Sequence, residues 1–486
     1  MPFLREAPLQ RQPSPFARAF PCNDGFPFIP CGSARGAPAR MLPAYNPGIR
    51  ESNPGAWKSV RLRAYERKRI EIAMNIKPVI FGGDILAYSY ARCMHEAYGV
   101  RSLVICSNDV KMVTSSKLLD AIVDHGIEDT AYLLGLAKKT VAQVAAAGDV
   151  PVLLGSGDWY ARFLCEYQDE LIAACGEDAR CVVPYLPLEK FESIMHKDEF
   201  YAACDRAGVD RPLTFELDMS TATELPSDEE LGLGGYPVIC KPSDSAAWHY
   251  AEFPGKEKVA EIADRAGLEK MFEAIKGSSY KGGLLLQDRI PGDDTVIYSI
   301  TVFCDRGDVR IICVGHVLLQ DHDPSALGNP VCIMSTVDEP CHRHLIDAAT
   351  RLVKEFDYHG YGNFDVMYDA RSDTYRFLEM NARPGRNSYY LTLAGENFVK
   401  PIVEQFVEGK TVAKRDLDRP FLFKVVPTKL VRDYVDEPLK SKALALVARK
   451  AHGCPTFGAR DTFAHWLWSH ITYFHYLTKF PKHYLK

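Results

Sequence analysis

The segment from Gly360 to Gly385 constrains the fold more than any other part of the sequence. Phe364, Val366 and Tyr368 alternate with Asp365, Met367 and Asp369, as in a strand that buries one face. A turn over Ala370–Asp373 would then make a hairpin of two antiparallel strands.

Pairing across this turn predicts that Asp365 lies opposite Glu379. Strand periodicity predicts that Phe377, Glu379 and Asn381 share one face. Two opposed carboxylates repel each other, whereas several hard oxygen ligands suit Mg²⁺ bound to phosphate oxygens. The hairpin therefore indicates a cation site, with a solvated acidic hairpin as the alternative.

Upstream, strands and helices alternate. Strands at 77–81, 102–106 and 151–154 and a helix at Ile85–Tyr98 predict a parallel sheet with crossover helices. The turn Gly82-Gly83 is compatible with a nucleotide site or with a turn that binds nothing, and the absence of G-x-G-x-x-G disfavours an oxidoreductase.

From residue 191 onward the pattern predicts a second, mixed region. Its predicted helices are Lys197–Ala207, about 257–276 and 341–356, and its predicted strands are 237–241, 284–287, 296–303, 309–318 and 361–368. The last 76 residues predict helices with an aromatic and basic end.

Charge and hydropathy exclude several classes of protein. No apolar run approaches the ~18–20 residues that span a bilayer. The net charge of −5 conceals basic ends, with 12 Lys and Arg against 5 Asp and Glu in residues 1–75 and 14 against 6 in residues 411–486. The remainder is strongly acidic, which disfavours nucleic-acid binding.

The 14 cysteines form no C-x-x-C pair, and no secretory signal precedes the first strand. This pattern predicts reduced thiols in a cytoplasmic protein.

Residues 1–56 contain 11 prolines and 5 glycines and show no helical or strand period. We expect residues 1–75 to be a disordered leader or a misassigned start, with Met74 as a candidate native start. A transit peptide is the remaining alternative, although such peptides are amphipathic and contain less proline.

The residues Glu379-Met-Asn381-Ala-Arg383-Pro-Gly385 resemble the signature that closes the active site of ATP-grasp carboxylate–amine ligases. The resemblance implies an ATP-grasp fold, ATP and Mg²⁺ as cofactors, and Mg²⁺ binding by Asp365, Glu379 and Asn381. It also implies that Arg383 stabilises an acyl phosphate and the transition state that follows.

Other parts of this family are found in the same order. Lys197 and Lys241 resemble the two lysines that bind the α- and β-phosphates, with Lys241 as a catalytic candidate. The following loop, 243–249, has serines where the family has glycines.

The segment Leu284–Asp294 resembles the family's hinge strand. The resemblance implies backbone contacts to adenine around Asp288 and Ile290, and a ribose contact from Asp294. Gln287 stands where the family usually has glutamate, and its carbonyl keeps an acceptor for adenine.

Residues 78–98 and 381–390 are also similar to D-aspartate ligases of peptidoglycan cross-bridge synthesis. Arg386, near the reacting carboxylate, suits a substrate with two carboxylates. The resemblance implies that D-aspartate is joined to a lysine side chain of a cell-wall precursor. The alternatives are another amino-acid or peptide ligase of this fold, and a nucleotide-binding scaffold without turnover.

The predicted architecture is α/β: a parallel pre-ATP-grasp domain (76–190), an ATP-grasp domain (191–410) and a helical extension (411–486). Within the ATP-grasp domain we expect a lid at about 191–290 and the metal-site sheet at about 291–410. The extension is expected either to cap the core with its aromatic residues or to contact anionic lipid at the inner face of the membrane.

Overall fold

The computed structural model describes residues 75–177, 179–243, 248, 251–257 and 259–484. The predictions for residues 1–74, including Met74, and for most of the loop after Lys241 lie outside these residues. Everything described belongs to one structural unit, Arg63–Lys486.

The first sheet has four parallel strands in the order β3-β2-β1-β4. They are β1 (Ile76–Phe81), β2 (Ser102–Cys106), β3 (Leu119–Val123) and β4 (Val150–Gly155). The connecting helices are α1 (Ile85–Tyr98), α2 (Lys111–Thr114), α3 (Thr130–Ala146), α4 (Asp158–Glu166) and α5 (Gln168–Ala173), with a 3₁₀ turn at His125–Glu128. The predicted parallel sheet is confirmed, and β3 is an addition to it.

Packing explains the Gly82-Gly83 turn. Gly82 has φ +103°, and a Cβ atom there would lie 2.1 Å from the Ser156 hydroxyl oxygen. Asp84 then caps α1 by accepting hydrogen bonds from the N–H groups of Leu86 and Ala87. The positive φ and the close packing explain the glycine at position 82, and a nucleotide is not needed to explain it.

A second, antiparallel sheet has four strands in the order β5-β8-β6-β7. Its strands are β5 (Thr214–Asp218), β6 (Val238–Pro242), β7 (Ala260–Ile262) and β8 (Gly283–Asp288). The helices of this part of the chain are α6 (Leu188–Met195), α7 (Lys197–Ala207), α8 (Asp228–Leu231) and α9 (Arg265–Lys276), of which α6 and α7 pack in the core of the third sheet. The predicted helix at 257–276 is wrong in its first part. Residues 260–262 form β7, and the helix begins after the Asp264 cap, whose carboxylate accepts from the Gly267 N–H.

The third sheet has eight strands. Seven of them lie side by side in the spatial order β13-β12-β9-β10-β11-β15-β16, and β14 pairs with β10. Its first five strands along the chain are β9 (Ile297–Asp305), β10 (Asp308–Gln320), β11 (Pro330–Ser335), β12 (Gly360–Asp369) and β13 (Thr374–Asn381). Helix α10 (His342–Glu355) covers one face, where Leu345 and Leu352 pack with Phe364 and Val366. On the other face, Phe303 and Tyr361 belong to the core that includes α1.

The C-terminal region takes part in this sheet. Strands β14 (Arg415–Asp416), β15 (Leu422–Lys424) and β16 (His452–Gly453) pair with it, an arrangement that the prediction of a helical extension did not include. The remaining helices are α11 (Tyr389–Leu393), α12 (Lys400–Ile402), α13 (Thr428–Tyr434), α14 (Leu439–Ala448) and α15 (Phe463–His483), with a π-helical turn at Val403–Val407. None of the helices in the described ranges is long and apolar enough to cross a membrane.

Helix α15 is divided in its packing. Tyr476 and Phe480 are buried against the core, as the cap hypothesis expects. Nearer its start, polar His465 and Ser469 are buried, whereas a group of apolar side chains is exposed: Phe463, Trp466, Leu467, Trp468, Ile471 and Phe474. The helix therefore presents much of its aromatic surface to solvent.

Candidate active site

The β12–β13 hairpin pairs Asp365 with Glu379, in the predicted register. A bulge follows, because the next pair is Val366 with Phe377 and Leu378 has no partner in β12. Phe377 therefore turns into the core with Phe364, at a ring distance of 5.6 Å. The prediction that Phe377 shares a face with Glu379 is thus wrong, since the bulge breaks the alternation.

The surroundings of Asp365 disfavour its ionised form. Burial and the neighbouring Glu379 raise the pKa of its carboxyl, and Arg383 opposes this rise. The amides of Asn363 and Asn381 each donate to one oxygen of Asp365, both at 3.3 Å. Two carboxylates in one half-buried place favour the binding of a cation, which would relieve their repulsion.

A buried network of hydrogen-bonded polar side chains lies beside this hairpin. Asn363 accepts hydrogen bonds from Ser299 and Thr301, at 3.2 and 2.9 Å. Asn387 donates to Ser299, and the Tyr390 hydroxyl donates to Thr301. Sequence analysis did not find this network, because its members are spread over β9, β12, α11 and the segment that precedes α11. It fixes the orientation of Asn363 and hence of Asp365.

The two predicted phosphate-binding lysines converge on this hairpin. Lys197, the first residue of α7, lies 3.6 Å from a carboxylate oxygen of Glu379. Lys241, on β6, is buried near Lys197. Burial and the positive charge of Lys197 together lower the pKa of Lys241 to about 7. A pair of partly buried ammonium groups is a site for a strongly anionic ligand.

Gln287 holds Lys241 in place. Its carbonyl oxygen accepts from the Lys241 ammonium at 2.9 Å. Its amide nitrogen donates to Tyr201 and Thr214, at 2.8 and 3.0 Å. The side chain predicted to contact adenine is thus engaged in positioning Lys241.

The hinge and the hairpin are joined by an arginine that sequence analysis missed. Arg371, in the turn between β12 and β13, makes a bidentate pair with Asp288 at 2.6 and 3.1 Å and also binds Asp369. The backbone N–H of Asp288 donates to the Leu213 carbonyl. Ile290, two residues later, is buried.

Asp294 follows the hinge strand in a 3₁₀ turn. Its carboxylate accepts from the Gln320 N–H at 2.8 Å and lies 3.1 Å from Nε2 of His322. Burial is the main cause that raises its pKa. Part of this carboxylate is therefore committed to protein partners.

Arg383 is anchored by a residue of α4. Its guanidinium makes a bidentate pair with Asp158 at the start of α4, at 2.6 and 2.9 Å, and lies 3.4 Å from the Asn381 carbonyl. Gly385 follows, where a Cβ atom would lie 2.6 Å from Asn387 and 2.9 Å from Asn363. Asp158 was not identified from sequence, because its contact with Arg383 spans more than two hundred residues.

Arg386 lies at a junction of three regions. Its Nε is 3.9 Å from Asp84, the cap of α1. Burial raises the pKa of Tyr476 on α15, and the nearby Arg386 opposes this rise. Tyr476 and Lys479 both bind Asp321, at 3.0 and 2.8 Å. The C-terminal helix therefore reaches the edge of the site, which sequence analysis did not predict.

A known family and a known protein match this chain. Residues 330–395 match the ATP-binding domain family of the carbamoyl-phosphate synthase L chain. The chain is 26% identical to a D-aspartate ligase of Enterococcus faecium (strain Aus0004) over 416 residues, 84% of this chain and 96% of the relative. Over most of both lengths, the chain is therefore similar to a D-aspartate ligase. These matches confirm the predicted resemblance to ATP-grasp ligases and D-aspartate ligases, the predicted fold class and the predicted enzyme class, an ATP-dependent carboxylate–amine ligase.

Two solved structures are also similar to this chain. The L-amino acid ligase from Bacillus licheniformis is 15% identical, with a TM-score of 0.49 over 69% of this chain and 74% of that chain. A biotin carboxylase from Campylobacter jejuni is 17% identical, with a TM-score of 0.49 over 70% of this chain and 72% of that chain.

Proposed function

We propose that this protein joins the β-carboxylate of D-aspartate to the side-chain amine of a lysine in a peptidoglycan precursor, at the expense of ATP. The observation that carries the proposal is the convergence of Lys197 and Lys241 on the acidic hairpin that ends in Arg383. The relationship to a D-aspartate ligase supports the choice of acid.

In the proposed mechanism, Lys197 and Lys241 bind the α- and β-phosphates of ATP and neutralise part of their charge. Asp365, Glu379 and Asn381 would hold Mg²⁺, which supplies further positive charge to the phosphate oxygens. We propose backbone contacts from the Asp288–Ile290 hinge to adenine and a ribose contact from Asp294. Gln287 acts here by holding Lys241.

The chemistry has two steps. A β-carboxylate oxygen of D-aspartate attacks the γ-phosphorus, the bond to ADP breaks, and an acyl phosphate forms. The lysine amine then attacks the acyl carbon, inorganic phosphate leaves, and the amide nitrogen loses a proton. Arg383, oriented by Asp158, stabilises the charge on the acyl phosphate, and Arg386 binds the other carboxylate of the substrate.

Both ATP and a cytoplasmic precursor would be available inside the cell, so we propose a cytoplasmic protein. Contact with the inner face of the membrane through the exposed part of α15 stays a prediction. Co-sedimentation with anionic liposomes tests it, and equal pelleting of wild type and a Phe463→Ser/Trp466→Ser variant would contradict it.

The proposed function is tested by phosphate release from ATP and Mg²⁺. Single amino acids are offered one at a time, with a lysine-containing muramyl pentapeptide as the acceptor. We expect release with D-aspartate, abolished in Glu379→Ala. Release with another amino acid would keep the ligase and replace the substrate, whereas silence with intact ATP binding would favour a scaffold without turnover.

A further inference from the structure

A cavity of about 490 Å³ lies away from the candidate active site, between α1, α11 and the C-terminal region. It shares no lining residue with that site. Its aromatic and histidine side chains are Tyr389, His452, Phe457, His470, Tyr473 and Phe474. Its volume is within the usual range for small-molecule sites.

Lys424, the last residue of β15, lines this cavity and is only 5% exposed. Its ammonium donates to the Tyr473 hydroxyl at 2.7 Å and lies 3.4 Å from the Val426 carbonyl oxygen. Within the described part of the chain, no carboxylate forms an ion pair with it. Burial lowers the pKa of Lys424, as expected for a cation without a counter-charge.

A second cation lies on the same wall. Arg92, on α1, stacks over the ring of Tyr389 at 5.1 Å and donates to the carbonyls of Pro455 and Phe457. Both Arg92 and Lys424 act electrostatically on the Cys454 thiol, which also lines the cavity. Glu96 neutralises Arg92 in part, through an ion pair of 2.7 Å. Lys424 is therefore the cation left to be compensated.

We propose that this cavity binds a small organic anion with a flat aromatic body. The anionic group would pair with Lys424, and the ring would pack among Tyr389, Phe457 and Tyr473. Such a pairing restores the counter-charge that the buried ammonium lacks. The site goes beyond the proposed ligase function and does not depend on it.

The occupant would also contact α11, which begins three residues after Arg386. Tyr389 and Leu393 of this helix both line the cavity. Gly453 allows β16 to approach α11 closely, since a Cβ atom there would lie 2.5 Å from the Leu393 side chain. Ligand in the cavity would thus rest on the helix that follows the acid-binding arginine.

The test uses 1-naphthoate and 1-naphthyl phosphate as anionic probes and 1-naphthamide as the neutral control, with binding measured by isothermal titration calorimetry on the full chain. We expect the better anion to bind at least about tenfold more tightly than the amide. Preference for the carboxylate or for the phosphate would assign the headgroup of the ligand. Equal binding of the anions and the amide would overturn the proposal.

Lys424→Met removes the charge and keeps the length of the side chain. We expect it to lose the anion preference, by about tenfold, while Lys429→Met, which changes an exposed lysine on α13, retains it. Circular dichroism checks that each variant is folded, and Lys424→Gln serves if the methionine variant is not. Undiminished binding in both Lys424 variants would overturn the proposal.

Two further measurements distinguish probe binding in the cavity from probe binding at the active site. Probe binding is repeated with saturating ATP and in Arg386→Leu. We expect the affinity to stay unchanged in both, because neither involves a residue of the cavity. Loss of binding in either would move the probe to the ligase site and overturn the assignment.

Discussion

Lys241 and Lys424 lie at the ends of two short strands in different sheets, and burial lowers the pKa of both. Lys241 has a second cation, Lys197, and a carboxylate, Glu379, in its electrostatic environment. Lys424 has a phenol and a carbonyl as partners. The arrangement around Lys241 suits a polyanion that binds together with metal cations. The arrangement around Lys424 suits a ligand with one anionic group.

The charges around a buried lysine thus distinguish the kind of anion that it suits. A balanced set of acids and bases, as around Lys241, can exchange partners during a reaction. An ammonium without a carboxylate partner among the described residues, as at Lys424, suits a ligand that brings the counter-charge and takes no part in further chemistry.

The largest expected effect is at the acidic hairpin. Glu379→Ala removes one proposed Mg²⁺ ligand and the ion-pair partner of Lys197, so we expect kcat to fall by about a thousandfold or more. Steady-state phosphate release measures it. Asp373→Asn, in the turn of the same hairpin, is the matched control and should stay within about twofold of wild type.

Lys241→Met tests whether Lys241, unlike Lys424, takes part in binding ATP. We expect this variant to lose about a hundredfold in kcat/KM for ATP, because a charge that stabilises the phosphates is removed. Lys429→Met is the control for a surface lysine. An equal loss in Lys424→Met would break the distinction between the two sites.

Arg386→Leu sharpens the assignment of the acid. We expect KM for D-aspartate to rise by about ten- to a hundredfold with a smaller change in KM for ATP, because one carboxylate of the substrate loses its guanidinium partner. Kinetics with varied D-aspartate measure it. An unchanged KM for D-aspartate would exclude Arg386 from the acid site.

A smaller effect is expected from Asp158→Asn, which weakens the bidentate anchor of Arg383 without touching substrate. We expect kcat to fall by about tenfold with little change in KM. Asp169→Asn, on α5, is the control. Recovery of activity in Asp158→Glu would support a positioning role.

The smallest expected effect is on stability. The pKa of Lys241, about 7 when folded, lies below its unfolded value of ~10.4, so the unfolded chain binds more protons between these pH values. The free energy of unfolding should therefore rise with pH across this window. Urea unfolding at pH 7 and pH 9 should show a shallower rise in Lys241→Met, and identical pH slopes would contradict the lowered pKa.

Local signals in the sequence were sufficient for much of the framework. Helices α1 and α7 occur with the predicted bounds, because Asp84, Gly99 and Gly208 supply caps and stops that act within a few residues. The pairing of Asp365 with Glu379 also follows from a short hairpin, in which the turn sets the register.

The sequence pattern was less informative wherever the partner lay far along the chain. The bulge at Leu378, β7 and the small strands of the C-terminal region depend on neighbouring strands that accept them. The pairs Arg383–Asp158 and Arg371–Asp288, and the reach of Tyr476 toward Arg386, join elements that only folding brings together.

The sequence alone was enough to name the residue types available for the site: the lysines, the acidic hairpin and the arginines, in an order typical of ATP-grasp ligases. What each of these side chains faces depends on the folded chain. Gln287 turned to Lys241, and Lys424 became a buried cation beside a cavity. The physical reason is that local propensities act over a few residues, whereas burial and electrostatic fields are properties of the assembled chain.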